Sequence, residues 1–216
     1  MKVLGIDPAL QNVGWQSREF GKIPTYASSQ LLGGGTIKDK NSKEFYVARI
    51  LRSLEKLREA VDEQKPEAVG IESQLIYSRK GKTVLTAVFS CLVSPWHPFR
   101  VKETLFQGHH VPKYVVLISP ERLQSLAHQE RKTSGTAVVK KYRDCVSDGR
   151  RITEHEADAM FISYFTARFL ELCVCSKQKN LLTREEKLAF HDSQNKKGES
   201  RAILQNEGEM WWENEC

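Results

Sequence analysis

Four side chains of this 216-residue chain have the types and placement that chemistry needs: Asp7, Glu72, and the pair His155 and Asp158. Asp7 closes the apolar run of Val3, Leu4 and Ile6 and is followed at once by Pro8. Glu72 closes a second such run, Ala68, Val69 and Ile71. His155 and Asp158 open a third element, just before an apolar stripe made by Phe161, Ile162, Phe165, Phe169 and Leu172. Carboxylate oxygens with an imidazole beside them suit Mg²⁺, with Mn²⁺ as the alternative. Two such ions in one site can clamp the attacking water and the leaving oxygen of a phosphodiester in an in-line displacement.

Taken singly, two of the acids have plainer readings. Asp7 before a proline suits a turn aspartate bonded to its own backbone, and Glu72 suits a solvated strand end. Asp158 differs, because it lies on the stripe its helix turns inward, with His155 one turn earlier. An inward carboxylate is costly unless it is paired or bound to metal. Thr153 and Glu156 match a capping box, which gives Glu156 a structural task and leaves Glu154 well placed on the helix dipole.

The elements that must carry these residues follow from the apolar pattern. The first run shows no alternation, as expected of a strand buried on both faces, and Pro8 stops it. A second strand covers Val13 to Trp15, and a third runs from Gly33 to Ile37, with Gly33, Gly34 and Gly35 read as the turn into it. Three strands in succession predict an antiparallel meander. Residues 42–64 switch to helical period, with Val47, Ile50, Leu51, Leu54, Leu57 and Val61 on one stripe and Ser42 as the cap. That helix forms a crossover, so the first strand and the strand over residues 68–71 can lie side by side in parallel. Asp7 and Glu72 then reach one rim. Tyr114 to Ile118 is a further strand, stopped by Ser119 and Pro120.

Other stretches fit a site less well. The Gly81-Lys82-Thr83 string is not a phosphate loop, because Ile76 stands where that motif needs glycine. Residues 94–113 lack periodicity and hold His97, His109 and His110; with no cysteine or acid at ligand spacing, zinc is not favoured and an irregular loop is expected. The five cysteines show no CxxC spacing and are expected as buried thiols.

Charge points to a polyanionic partner. The chain carries a formal +6 with a pI near 9.0. Residues 121–151 hold eight Lys or Arg against four acids, a local excess of +4. Arg131, Lys132, Lys140 and Lys141 are the candidate phosphate contacts there, with an ordinary solvated face as the alternative. No apolar run has the length of a membrane span, and a strand begins within two residues of Met1. A cytoplasmic protein is expected, or one of the host cytosol if its source is a virus or phage. Residues 177–216 carry seven basic and eight acidic side chains, no sustained stripe, and Trp211 and Trp212 near the end. They are expected to form a charged, loosely ordered extension to a domain over residues 1–176, with the two tryptophans packed on that domain.

The segments GIDPALQNVG around Asp7, AVGIES around Glu72 and HEADA around Asp158 resemble the RuvC-type Holliday junction resolvases of the ribonuclease H-like superfamily. The resemblance covers about residues 1–175, an estimate from pattern alone. It implies an α/β, ribonuclease H-like fold: a mixed five-stranded sheet with a three-strand antiparallel meander and helices on both faces. It further implies that Asp7, Glu72, His155 and Asp158 are the metal-binding catalytic set, His155 filling a place where the family has His or Asp. Lys132 and Lys140 resemble its substrate-facing basic residues. Branched DNA as partner and a homodimer that nicks a four-way junction symmetrically are implied as well. Ala9 departs from the glycine common in the family, the 94–113 loop looks longer, and the extension has no counterpart. A relative acting on flaps, forks or RNA, and a binding protein without catalysis, are the alternatives. The second requires that one acid be absent or misplaced.

Overall fold

The computed structural model describes residues 1–8, 12–21, 30–38, 46–72, 108–118, 152–181 and 211–213. Strand β1 (Lys2–Asp7) pairs antiparallel with β2 (Asn12–Glu19), which pairs antiparallel with β3 (Gln30–Lys38). Helix α1 (Tyr46–Gln64) follows and returns the chain to β4 (Ala68–Glu72), parallel to β1. β5 (Tyr114–Ile118) lies parallel to β4, and α2 (Glu154–Phe169) follows in sequence. The five expected strands and the meander are present. A sixth strand, β6 (Trp211–Glu213), pairs antiparallel with β5 and completes the order β3-β2-β1-β4-β5-β6.

Burial sorts the two helices onto opposite faces. On one side Leu57 and Val61 of α1 pack with Leu4, Ile6, Val69, Ile71 and Val115. On the other, Met160, Phe161, Ile162 and Phe165 of α2 pack with Val3, Ala68, Val116 and Ile118. β1 contributes to both clusters, which is why its sequence shows no alternation. α1 ends where Lys65 turns left-handed at φ 46°, its N–H donating to the Val61 carbonyl at 2.8 Å, and Pro66 prevents continuation.

α2 lies unusually close to the sheet because glycines stand beneath it. A Cβ at Gly5 would strike the Ala159 carbonyl oxygen, one at Gly14 the His155 carbonyl, and one at Gly70 the Thr166 hydroxyl. Residues 155, 159 and 166 mark one face of the helix, so its backbone crosses β2, β1 and β4 in turn. α2 continues into a π-helical turn over Leu170–Cys175.

Three sequence expectations need correction or completion. Gly33, Gly34 and Gly35 lie within β3 rather than in a turn before it. A Cβ at Gly34 would overlap the buried Gln16 amide, and one at Gly35 would come within 3.2 Å of the Trp15 ring nitrogen, so these two glycines make room for β2 side chains. Cys175 is exposed rather than buried, at the last residue of the π-helical turn where the packed helix ends. Trp211 and Trp212 belong to β6, so the extension regains the domain at the free edge of β5. The Ser42 cap lies outside the described residues.

His109 and His110 act as ties between the chain entering β5 and the end of α1. His109 Nδ1 meets Asp62 Oδ2 at 2.8 Å, the His110 N–H donates to Asp62 Oδ1 at 2.7 Å, and His110 Nε2 donates to the Pro66 carbonyl at 2.6 Å. Burial pushes the Asp62 carboxyl up, but the hydrogen bonds from His109 and the His110 N–H, with the charges of His109 and Arg58, outweigh it and lower the group.

The glycine contacts yield a paired prediction. Gly5→Ala forces a Cβ against helix backbone and should cost about 1–3 kcal/mol in urea unfolding. Gly21→Ala, with nothing among the described residues within 4 Å of the new carbon, should leave the midpoint within about 0.5 kcal/mol of the parent.

Candidate active site

Register places the candidate residues on one level of the sheet. Thr36 on β3 pairs with Gly14 on β2, and Gly14 pairs with Asp7 on β1. Ile6 pairs with Ile71, so the next residues, Asp7 and Glu72, stand side by side at the ends of parallel strands. Glu72 pairs in turn with Ile118 on β5. Asp7 shares its face with Val3 and Gly5, and Glu72 shares its face with Ala68 and Gly70; both faces look toward α2. In α/β sheets the carboxyl ends of parallel strands are where ligand sites form.

The first turn of α2 completes the group. Thr153 is the N-cap; its hydroxyl accepts from the Glu156 N–H at 3.2 Å, and the Glu156 carboxylate accepts from the Thr153 N–H at 2.8 Å. The capping box expected from sequence is formed, and Glu156 is only 3% exposed. Seated on Gly14, the helix delivers His155 Nδ1 to Asp7 Oδ2 at 2.7 Å. Asp158 follows one turn later, partly buried.

Electrostatics shows how tightly the acids are gathered. Burial, the charge of Asp7, a hydrogen bond with Asp7 and the charge of Asp158 push the Glu72 carboxyl up to about 9. Burial and the charges of Asp7 and Glu154 push Asp158 up to about 7, with His155 opposing. The Asp7 hydrogen bond raises His155 against the opposing effect of burial, helped by the charges of Asp7, Asp158 and Glu154. Burial and the neighbouring acids thus favour the protonated form of Glu72 beside Asp7.

Sequence reasoning selected Asp7, Glu72, His155 and Asp158, and the structure brings all four to one rim. Arg131, Lys132, Lys140 and Lys141 lie outside the described residues. The roles of Gly14 and Thr36 had not been read. Gly14 carried a signal, a glycine inside a strand, which marks close approach of another backbone. Thr36 carried none.

Among the described residues no three His, Cys, Asp or Glu side chains stand about one point in metal-ligand geometry. Asp7 instead joins Glu72 and His155 through hydrogen bonds. The donor types are nonetheless those that a divalent cation takes. The site offers three carboxyl groups of hard oxygen and one imidazole, and the raised carboxyls mark a concentration of negative charge that a cation would relieve.

No family model matches the chain, and no curated protein matches it. Solved structures do. Thermus thermophilus RuvC aligns at 20% identity with a TM-score of 0.56, over 82% of this chain and 97% of that one. The same protein in complex with a Holliday junction substrate aligns at 20% identity and a TM-score of 0.58, over 81% and 97%. The fold is that of the RuvC-type resolvases. The yeast mitochondrial Holliday junction resolvase Ydc2 shares it at 15% identity and a TM-score of 0.55, over 82% of this chain and 83% of that one. Within this RuvC-type fold, the candidate site occupies the carboxyl ends of β1 and β4 and the start of α2.

The raised carboxyls fix a direction for stability. A carboxyl that binds its proton more tightly in the folded chain favours folding at low pH. That advantage is lost as pH rises, between about 4.5 and 9 for Glu72 and between about 3.8 and 7 for Asp158. In EDTA, Glu72→Gln should therefore raise Tm at pH 8 above that of the parent and flatten the decline between pH 5 and 9. A lower Tm for Glu72→Gln at pH 8 would contradict the raised Glu72 carboxyl.

Proposed function

We propose that this protein is a divalent-metal-dependent endonuclease that resolves four-way DNA junctions as a homodimer, through paired symmetric nicks made by phosphodiester hydrolysis. The observation that carries the reading is the convergence of Glu72 and His155 on Asp7, with Asp158 close enough for its charge to act on both partners. The RuvC-type fold supports it, and one structure sharing that fold holds a Holliday junction substrate. The formal charge of +6 and the basic excess over residues 121–151 fit a polyanion.

Asp7, Glu72 and Asp158 would hold two Mg²⁺ ions, or Mn²⁺, with His155 at their side. Bound there, the ions supply Lewis-acid stabilisation of phosphodiester charge and a nucleophilic water at neutral pH. Glu72 and Asp158 must release their protons to serve as ligands, so metal affinity rises with pH. His155 presents Nδ1 to the Asp7 carboxylate, which orients the ring. A carboxylate only accepts, so Nδ1 carries the proton, and in the neutral ring Nε2 is left as ligand or proton acceptor. Arg131, Lys132, Lys140 and Lys141 would meet phosphates. A two-fold protein matches a two-fold junction, which is why paired cuts imply a dimer.

Asp7→Asn should lower cleavage of a four-way junction by about 10³-fold or more while junction binding persists. Retained cleavage in that variant would overturn the assignment. Cut positions mapped on a junction, a flap and a plain duplex test the substrate. Paired symmetric cuts in the junction are expected, and preferential cutting of the flap would move the activity to other branched DNA.

A further inference from the structure

We propose that Thr36 is a positioning residue for the acid cluster, its hydroxyl contact with Thr153 fixing where α2 starts and hence where His155 and Asp158 stand relative to Asp7. Its effect on rate rests on the nuclease reading. Its effect on geometry does not.

The two hydroxyl oxygens lie 2.6 Å apart across 117 residues of sequence. Thr153 Oγ1 is also the acceptor that caps the first turn of α2. One oxygen thus ends the helix and binds it to the sheet. The capping box is internal, since Thr153 and Glu156 satisfy one another wherever the helix sits. The link to β3 adds a fixed point on the sheet for the cap itself. Thr36 belongs to the same row as Gly14 and Asp7, so the anchor stands on the level of the acids rather than beneath them.

Gly14 and Thr36 divide the task. The missing Cβ of Gly14 lets the His155 backbone settle onto β2, which sets the height of the helix. The hydroxyl pair resists sliding and rotation at that height. His155 lies two residues past the cap and Asp158 five, so a shift of the cap is passed to both while Asp7 and Glu72 stay on their strands. Misplacement of a reacting group by about 1 Å can cost about 10²-fold in rate. Thr36 acts through α2 and is not assigned a contact with substrate.

Thr36→Val keeps the β-branched shape that suits a strand and removes the hydroxyl; Thr36→Ser keeps the hydroxyl. The test uses the full chain and compares both variants with the parent. It measures junction cleavage in Mg²⁺, junction affinity in EDTA, and amide hydrogen exchange over residues 152–160 without metal. In T36V, kcat should fall by about 10–100-fold at unchanged junction affinity. Exchange at residues 154–158 should quicken while that of β1 and β4 does not, and T36S should restore both readouts. Parental kcat with parental exchange in T36V would overturn the proposal. So would quickened exchange spread over the whole sheet, or a T36S variant that fails to restore. If the parent cleaves no branched DNA, the nuclease reading falls and exchange alone decides. Local quickening in T36V reversed in T36S supports the anchor, and unchanged exchange refutes it.

Discussion

Asp7 is a carboxylate, only 7% exposed, that must satisfy an imidazole on one side and an acid on the other. It sits at the end of a strand buried on both faces, with Glu72 beside it and the first turn of α2 above. Negative charge cannot accumulate in such a place without compensation. The folded chain compensates by raising Glu72, which favours its protonated form, and by setting the His155 ring against Asp7. A divalent cation would do so more effectively while freeing carboxylate oxygens to act as ligands. The same crowding that disfavours the metal-free state at high pH is thus what would select for metal.

Crowding of this kind needs a helix set closer to a sheet than side chains ordinarily permit. Gly5 and Gly14 remove the carbon atoms that would strike the backbone of α2 over β1 and β2, and Gly70 removes the one that would strike its Thr166 side chain over β4. The apolar side of α2 then seals against Val3, Ala68, Val116 and Ile118. Packing energy thereby supports an electrostatic arrangement that would not assemble alone. The capping box ensures that the helix begins at Glu154, so that its first turn, and not its middle, meets the rim.

Most of this was legible because local pattern and tertiary role coincide. Apolar runs that end in acids identified β1 and β4, the 3.6-residue stripe identified α1, and Thr153 with Glu156 identified the start of α2. Failures came where a residue's reason lies in a distant neighbour. Gly33 to Gly35 looked like a turn, since glycine most often is one; its place inside β3 reflects Gln16 and Trp15 on the adjacent strand. Thr36 is an unremarkable strand threonine until Thr153 is seen against it. β6 is three residues in a charged stretch, too short for any period, and only the open edge of β5 explains it. The basic residues near 131–141 remain a sequence inference, outside the described residues.

The direct test of the central claim is anomalous diffraction from crystals of the full chain grown with Mn²⁺. Density bonded to oxygens of Asp7, Glu72 and Asp158, with the carboxyls of Asp7 and Glu72 turned to the ion rather than to each other, is the expected result. Saturating Mn²⁺ that leaves Asp7 and Glu72 joined to each other, and binds elsewhere or not at all, would contradict it.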